Sequence, residues 1–206
     1  MRRTGDPHEQ ARFDRDDLLD LVRRERFARD QRHFEVMRAC FHDQAHVRTS
    51  WFDGTGPDYV EETRLRIDAS GNSKHWVFPA FEQVNGDRAT VESPAMIFNR
   101  VVLEGVEVDF HVYCRFFSRA VRVDESWKLL SFEVLFERDV LKPVDPDERT
   151  PIDREVLATL RPSYKFLAYI HYSRGRTVNP DLLGDDRRDE LNAFHENEAR
   201  WLADTE

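Results

Sequence analysis

His75 and Asp30 are the two side chains of this sequence best suited to moving a proton together. Imidazole titrates nearest to neutral pH, and a carboxylate beside it fixes its tautomer and stabilises the imidazolium. Such a pair is a general base with the group that orients it. Other chemistries have weaker support. There is no P-loop, no dinucleotide-type glycine fingerprint, no paired-cysteine zinc motif and no Gly-x-Ser-x-Gly elbow. His42 and His46 are four apart, a spacing that holds a metal on a helix. No third ligand accompanies them, a solvated helix end is the plainer reading, and neither a metal site nor a cofactor is predicted.

The elements that must bring Asp30 and His75 together follow from the hydrophobic pattern. The first fourteen residues are polar and read as frayed. From Asp16 the spacing of Leu18, Leu21, Val22, Glu25 and Ala28 is helical, and the helix pauses near Asp30. A short helix with Phe34, Met37 and Phe41 on one face follows, then a weakly alternating stretch over 45–52 and a further helix over 58–67. Asp30 has an ordinary alternative role as the cap of the second helix. His75 opens the next element, an extended run over 75–84, and shares a face with Val77, Pro79 and Phe81 if no bulge intervenes. Its ordinary alternative is a strand-end histidine near solvent.

Asn85-Gly86, Glu104-Gly105 and Asp124-Glu125 punctuate long runs over 75–84, 88–103, 106–123 and 127–139. Short turns between long strands predict an antiparallel meander. Parity places Val106, Val108, Phe110, Val112, Cys114 and Phe116 on one face, and Leu130, Phe132, Val134 and Phe136 form a second apolar row. One face of the sheet therefore needs cover, and the early helices supply it. The predicted fold class is α+β, a cone-shaped barrel in which N-terminal helices cover a strongly bent antiparallel sheet. Parity also puts His111, with Asp109 and Tyr113, on the outer face, which suits packing or an interface. The prolines at 143, 146 and 151 end the sheet. The chain thus divides into a cone at 15–142 and a linker with C-terminal extension at 143–206, the extension packing on the cone or on a neighbouring subunit.

Composition bounds the partners. The 206 residues carry 31 basic and 40 acidic side chains, a net charge of −9, which argues against a nucleic-acid partner. The 24 aromatic residues (15 Phe, 4 Trp, 5 Tyr) supply a core and rule out a mainly disordered chain. The longest stretch without Asp, Glu, Lys or Arg is the eight residues 166–173, too short for a membrane helix. Arg2-Arg3 and Arg23-Arg24 read as solvated surface. No apolar stretch follows the first arginines, and Cys40 and Cys114 read as reduced thiols, so a cytoplasmic setting is expected.

From Leu18 to Pro146 the order of pieces resembles the SnoaL-like branch of the nuclear transport factor two-like superfamily. The pieces are the helix ending at Asp30, Ala39-Cys40-Phe41-His42-Asp43-Gln44-Ala45, Trp51-Phe52-Asp53-Gly54, Gly86-Asp87-Arg88-Ala89 and Asp124-Glu125-Ser126-Trp127-Lys128-Leu129. The resemblance implies an α+β cone with a deep apolar pocket. Several enzymes of the group, similar to scytalone dehydratase, bile-acid 7α-dehydratase and hexachlorocyclohexane dehydrochlorinase, use a His–Asp dyad without a cofactor. It implies Asp30, thirteen residues before Asp43, and His75 as catalytic residues. Phe27, Trp51, Val112, Cys114, Phe116, Phe132 and Val134 are the expected substrate-binding walls. Two positions depart from the pattern. Glu25 stands where relatives carry Tyr or Lys, and Phe132 stands where the dehydrochlorinase carries an interior arginine. The implied function is a cofactor-independent dehydratase-like lyase or isomerase acting on a hydrophobic polycyclic or aromatic small molecule, as a homodimer or homotrimer. The alternative is a non-catalytic hydrophobic-ligand-binding or assembly protein of the same fold.

Overall fold

The computed structural model describes residues 5–70 and 73–204. Arg2-Arg3 lies outside the described residues. Helix α1 (Pro7–Asp30) begins earlier than the polarity of the N-terminus suggests. Asp6 caps it by accepting from the His8 N–H, and Pro7 sits in the first turn, where its missing N–H costs nothing. Asp14, expected to be frayed, is buried against Arg122 at 2.7 Å, so a tertiary ion pair pins the polar segment. Helix α2 (Phe34–Cys40) follows, then β1 (Phe41–Arg48), β2 (Asp53–Thr55) and α3 (Gly56–Ser70). The meander comprises β3 (Lys74–Val77), β4 (Phe81–Asn85), β5 (Arg88–Leu103), β6 (Val106–Val123) and β7 (Ser126–Pro143).

The single extended run expected over 75–84 is two strands. Pro79 cannot donate to a ladder and interrupts the pairing. β3 then pairs with residues 95–98 of β5 and β4 with residues 88–92. Phe81, expected on the face of His75, is 69% exposed. His42 and His46 lie on a strand rather than at a helix end, so their spacing no longer places them side by side. His46 instead pairs with Asp53 at 2.9 Å.

The strands form one curved, unclosed sheet in the order β2-β1-β7-β6-β5-β3, with β4 also on β5. β1 runs parallel to β7, and the remaining pairs are antiparallel. The cone expected from the sequence is present, with its sheet curved and unclosed. Register shifts between β6 and β7, after Tyr113 and after Phe117, bend the long strands. Helices α1 to α3 fill the concave face around Leu18, Met37, Tyr59, Val112 and Phe136.

Beyond β7 the chain forms α4 (Arg154–Thr159), a 3-10 turn (Pro162–Tyr164), α5 (Lys165–Ser173) and α6 (Arg188–Ala203). α6 covers part of the convex face, where Leu191 and Phe194 pack on Phe117 and Leu135. Arg119 on that face is bound bidentately by Glu198. His111 lies on the convex face too, half-buried, in register with Phe98 and Val140. α5 instead closes the concave side, and Asp139 of β7 accepts the Leu167 N–H at its first turn. Asp139→Ala removes this cap. It is expected to cost roughly 1 kcal/mol and to speed amide exchange across 165–173, read by hydrogen-exchange mass spectrometry. Among the described residues no helix is long and apolar enough to cross a membrane.

Candidate active site

The end of α1 and the start of β3 are clasped together by polar contacts. Asp30 Oδ2 accepts the backbone N–H of His75 at 2.7 Å, and Oδ1 meets His75 Nδ1 at 2.7 Å. Lys74 Nζ donates to the Asp30 carbonyl at 2.6 Å. Arg29 Nη1 donates to Asp30 Oδ1 at 2.9 Å and also to the Ser73 carbonyl, while Nη2 reaches Ser73 Oγ at 3.1 Å. Asp30 therefore does not cap α2, which has no side-chain cap. Both side chains of the pair are buried, Asp30 8% and His75 5% exposed.

Burial by itself raises the Asp30 carboxyl. The hydrogen bond from His75, with the nearby charges of His75, Arg29 and Arg26, outweighs it and holds the group at about 2. Burial pushes the His75 imidazolium down to about 3; Asp30 opposes this, while the Arg29 and Arg26 guanidiniums reinforce it. At neutral pH the pair is thus carboxylate beside neutral imidazole. An ionised carboxylate only accepts, so Nδ1 carries the proton and Nε2 holds the lone pair. Nε2 has no protein partner among the described residues.

A pH dependence of stability follows. The unfolded His75 protonates near 6.5 and the folded one only near 3, so across that interval the unfolded chain binds more protons. Asp30 acts with the same sign between 3.8 and about 2. The pair's stabilisation is complete above pH 6.5 and is lost as pH falls. Urea midpoints are expected to decline between pH 7 and pH 4. In His75→Gln, whose side chain does not titrate, that decline is expected to be shallower. Parallel curves would refute the assignment.

His75 lies beside Ile97 of β5, which is in register with Val112 of β6, and all three line a cavity of about 120 Å³. The cavity sits between the sheet, α1, α3 and α5. Of the walls expected from sequence, Trp51, Val112, Phe116, Phe132 and Val134 line it. Phe27 and Cys114 do not. Phe27 is 62% exposed, because the face of α1 that turns inward carries Arg26, Arg29 and Asp30. Cys114 shares the face of Val112 and Phe116 but is packed into the core, its thiol donating to the Ala95 carbonyl at 3.7 Å.

Sequence reading missed the polar part of the wall. Arg26 is buried and held bidentately by Glu25 at 2.7 and 3.0 Å. Its guanidinium lies 4.7 Å from the Phe132 ring centroid and 5.1 Å from that of Phe116. Burial opposes both charges of the Glu25–Arg26 pair; the carboxylate keeps the guanidinium protonated. Glu25 thus serves as the counter-ion of Arg26. The one available signal was helical spacing, since Arg26 stands four residues before Asp30 and shares its face. Tyr59 and Arg66 of α3, Asn99 of β5 and His171 of α5 also reach the cavity. Nothing local in the sequence distinguished them.

The chain is 28% identical over 180 residues to pea pathogenicity protein 2 of Fusarium vanettenii, covering 85% of this chain and 77% of that one. In fold it is similar to a scytalone dehydratase candidate from Novosphingobium aromaticivorans (20% identity, TM-score 0.55, 71% of this chain and 98% of that one). A hexachlorocyclohexane dehydrochlorinase from Novosphingobium barchaimii also shares the fold (14% identity, TM-score 0.50, 68% and 95% of the two chains). Residues 10–133, well over half the chain, match the SnoaL-like domain. With the open cone and its concave cavity already in view, the chain belongs to the SnoaL-like branch of the nuclear transport factor two-like superfamily.

Proposed function

We propose that this protein is a cofactor-independent lyase or isomerase in which His75 is the catalytic base and Asp30 its positioning residue. The observation that carries the reading is a neutral imidazole, held by an ionised carboxylate, in the wall of a cavity where aromatic and aliphatic side chains share the lining with polar ones. His75 Nε2 takes a proton from a carbon next to a carbonyl. The C–H electron pair forms the new double bond, and a hydroxyl on the neighbouring carbon departs with its bonding pair, taking the proton back from the imidazolium and leaving as water. Returning the proton to a different carbon gives isomerisation. Arg26 supplies positive charge beside the reacting carbons, from α1 rather than from the last strand, where Phe132 stands. The 120 Å³ volume suits one six-membered ring, so we narrow the polycyclic expectation to a substrate with a single ring at the dyad. The cone at 15–142, the extension at 143–206 that closes it, and a homodimer or homotrimer belong to the same proposal.

The test is a panel of single-ring β-hydroxy ketones, with absorbance of the conjugated product as the readout. Turnover by the wild type that is lost in His75→Ala supports the reading. The absence of turnover across the panel, with a co-purified ligand released unchanged in native mass spectrometry, would favour the binding protein instead.

A further inference from the structure

Besides Arg26 and Arg29 of α1, the cavity carries a second cationic group. Arg66 of α3, His171 of α5 and Arg174 just beyond α5 line it together. Arg66, His171, Arg176 and Thr177 also line an adjoining surface recess with Trp51, so this is where the cavity meets solvent. The Arg66 guanidinium lies 4.7 Å from the Trp51 ring centroid. Three guanidiniums thus converge on one opening of a chain whose net charge is −9. Glu62 is the acidic residue lining the recess. The crowding is felt in the cluster itself: burial and the charges of Arg176 and Arg174 make the Arg66 cation less favourable.

His171 is an independent observation. It is 7% exposed, lines both cavity and recess, and its ring has no hydrogen-bond partner among the described residues. Its ring nitrogens are thus open to a ligand at the junction of cavity and recess. Burial and the adjacent Arg66, Arg176 and Arg174 hold it neutral, down at about 4, so one ring nitrogen keeps a proton to donate.

Resting on the lyase or isomerase reading of the same cavity, we infer that the substrate is an organic oxyanion, with its ring against the dyad and its anionic group bound at the mouth by Arg66, Arg174 and His171. Fixing the anion there would orient the ring toward His75, and the attraction would be screened by salt.

The inference is tested by binding alone, using compounds that cannot eliminate water. Isothermal titration would compare benzoate, phenylacetate and 3-phenylpropanoate with their uncharged amides, and phenyl phosphate with phenol. At least one anion is expected to bind about tenfold or more tighter than its neutral partner, with an advantage that shrinks as salt is added. A carboxylate or a phosphate preference names the oxyanion, and either supports the inference. R66Q/R174Q is expected to remove most of the discrimination while leaving affinity for the amides, which also reports that the cavity has survived. Glu62→Gln is expected to strengthen anion binding. Equal affinities for anions and neutral partners, or discrimination unchanged in R66Q/R174Q, would overturn it. Failure of the β-hydroxy ketone panel would leave this result standing, because no turnover enters the measurement.

Discussion

His75→Gln is expected to lower turnover by roughly 10²–10⁴-fold, the range a positioned general base contributes. Asp30→Asn is expected to fall in the same range for a different reason. The amide can donate to Nδ1, which moves the ring proton to Nε2 and removes the lone pair a base needs there. A purely structural role for the pair predicts something else: activity lost in proportion to folded protein. Two readouts separate the cases. Imidazole added to a His75→Ala variant should restore part of the rate if the ring acts on substrate, since the cavity then has room for it. Near-ultraviolet circular dichroism and the thermal midpoint at pH 8 should stay close to wild type in His75→Gln. Full turnover in a folded His75→Gln would remove the dyad from the mechanism.

The second large effect is on stability. Arg26→Met leaves Glu25 buried, at 2% exposure, without its bidentate partner. Breaking a buried pair from one side costs about 3–5 kcal/mol, because the remaining charge is neither solvated nor compensated. For a chain of this size that corresponds to roughly 6–20 °C in thermal midpoint. Adding Glu25→Gln to Arg26→Met removes the stranded charge and is expected to recover much of the loss. Turnover should not recover with it, since the positive charge beside Phe116 and Phe132 is still absent. Differential scanning calorimetry of both variants, alongside the rate, checks the two halves. A double variant no more stable than the single one would show that Glu25 is not the source of the cost.

These two sites differ in how far they could be read from the chain. For the dyad, the residue types, the helix pause at Asp30 and the strand beginning near His75 were local signals. Their meeting is an expectation of topology and resemblance, and the 2.7 Å contact decides it against the ordinary alternative for each residue. For the Glu25–Arg26 pair, the run Arg23-Arg24-Glu25-Arg26 has the composition of a solvated face. Burial is imposed on it by the sheet, which no window along α1 can sense.

The sequence alone determined the α+β class, the strands over 88–103 and 106–123, and the inward parity of Val112, Phe116, Phe132 and Val134. Alternation and turn residues act over a few positions, so they survive in one dimension. The tertiary structure decided what those rules do not reach. β1 joined β7 in parallel, and α6 took part of the convex face. It also decided that α1, α3 and α5 would turn Arg26, Arg66 and His171 toward one cavity, and that Phe27 would face solvent. Those outcomes depend on contacts between segments far apart in the chain, whose energies no local pattern records.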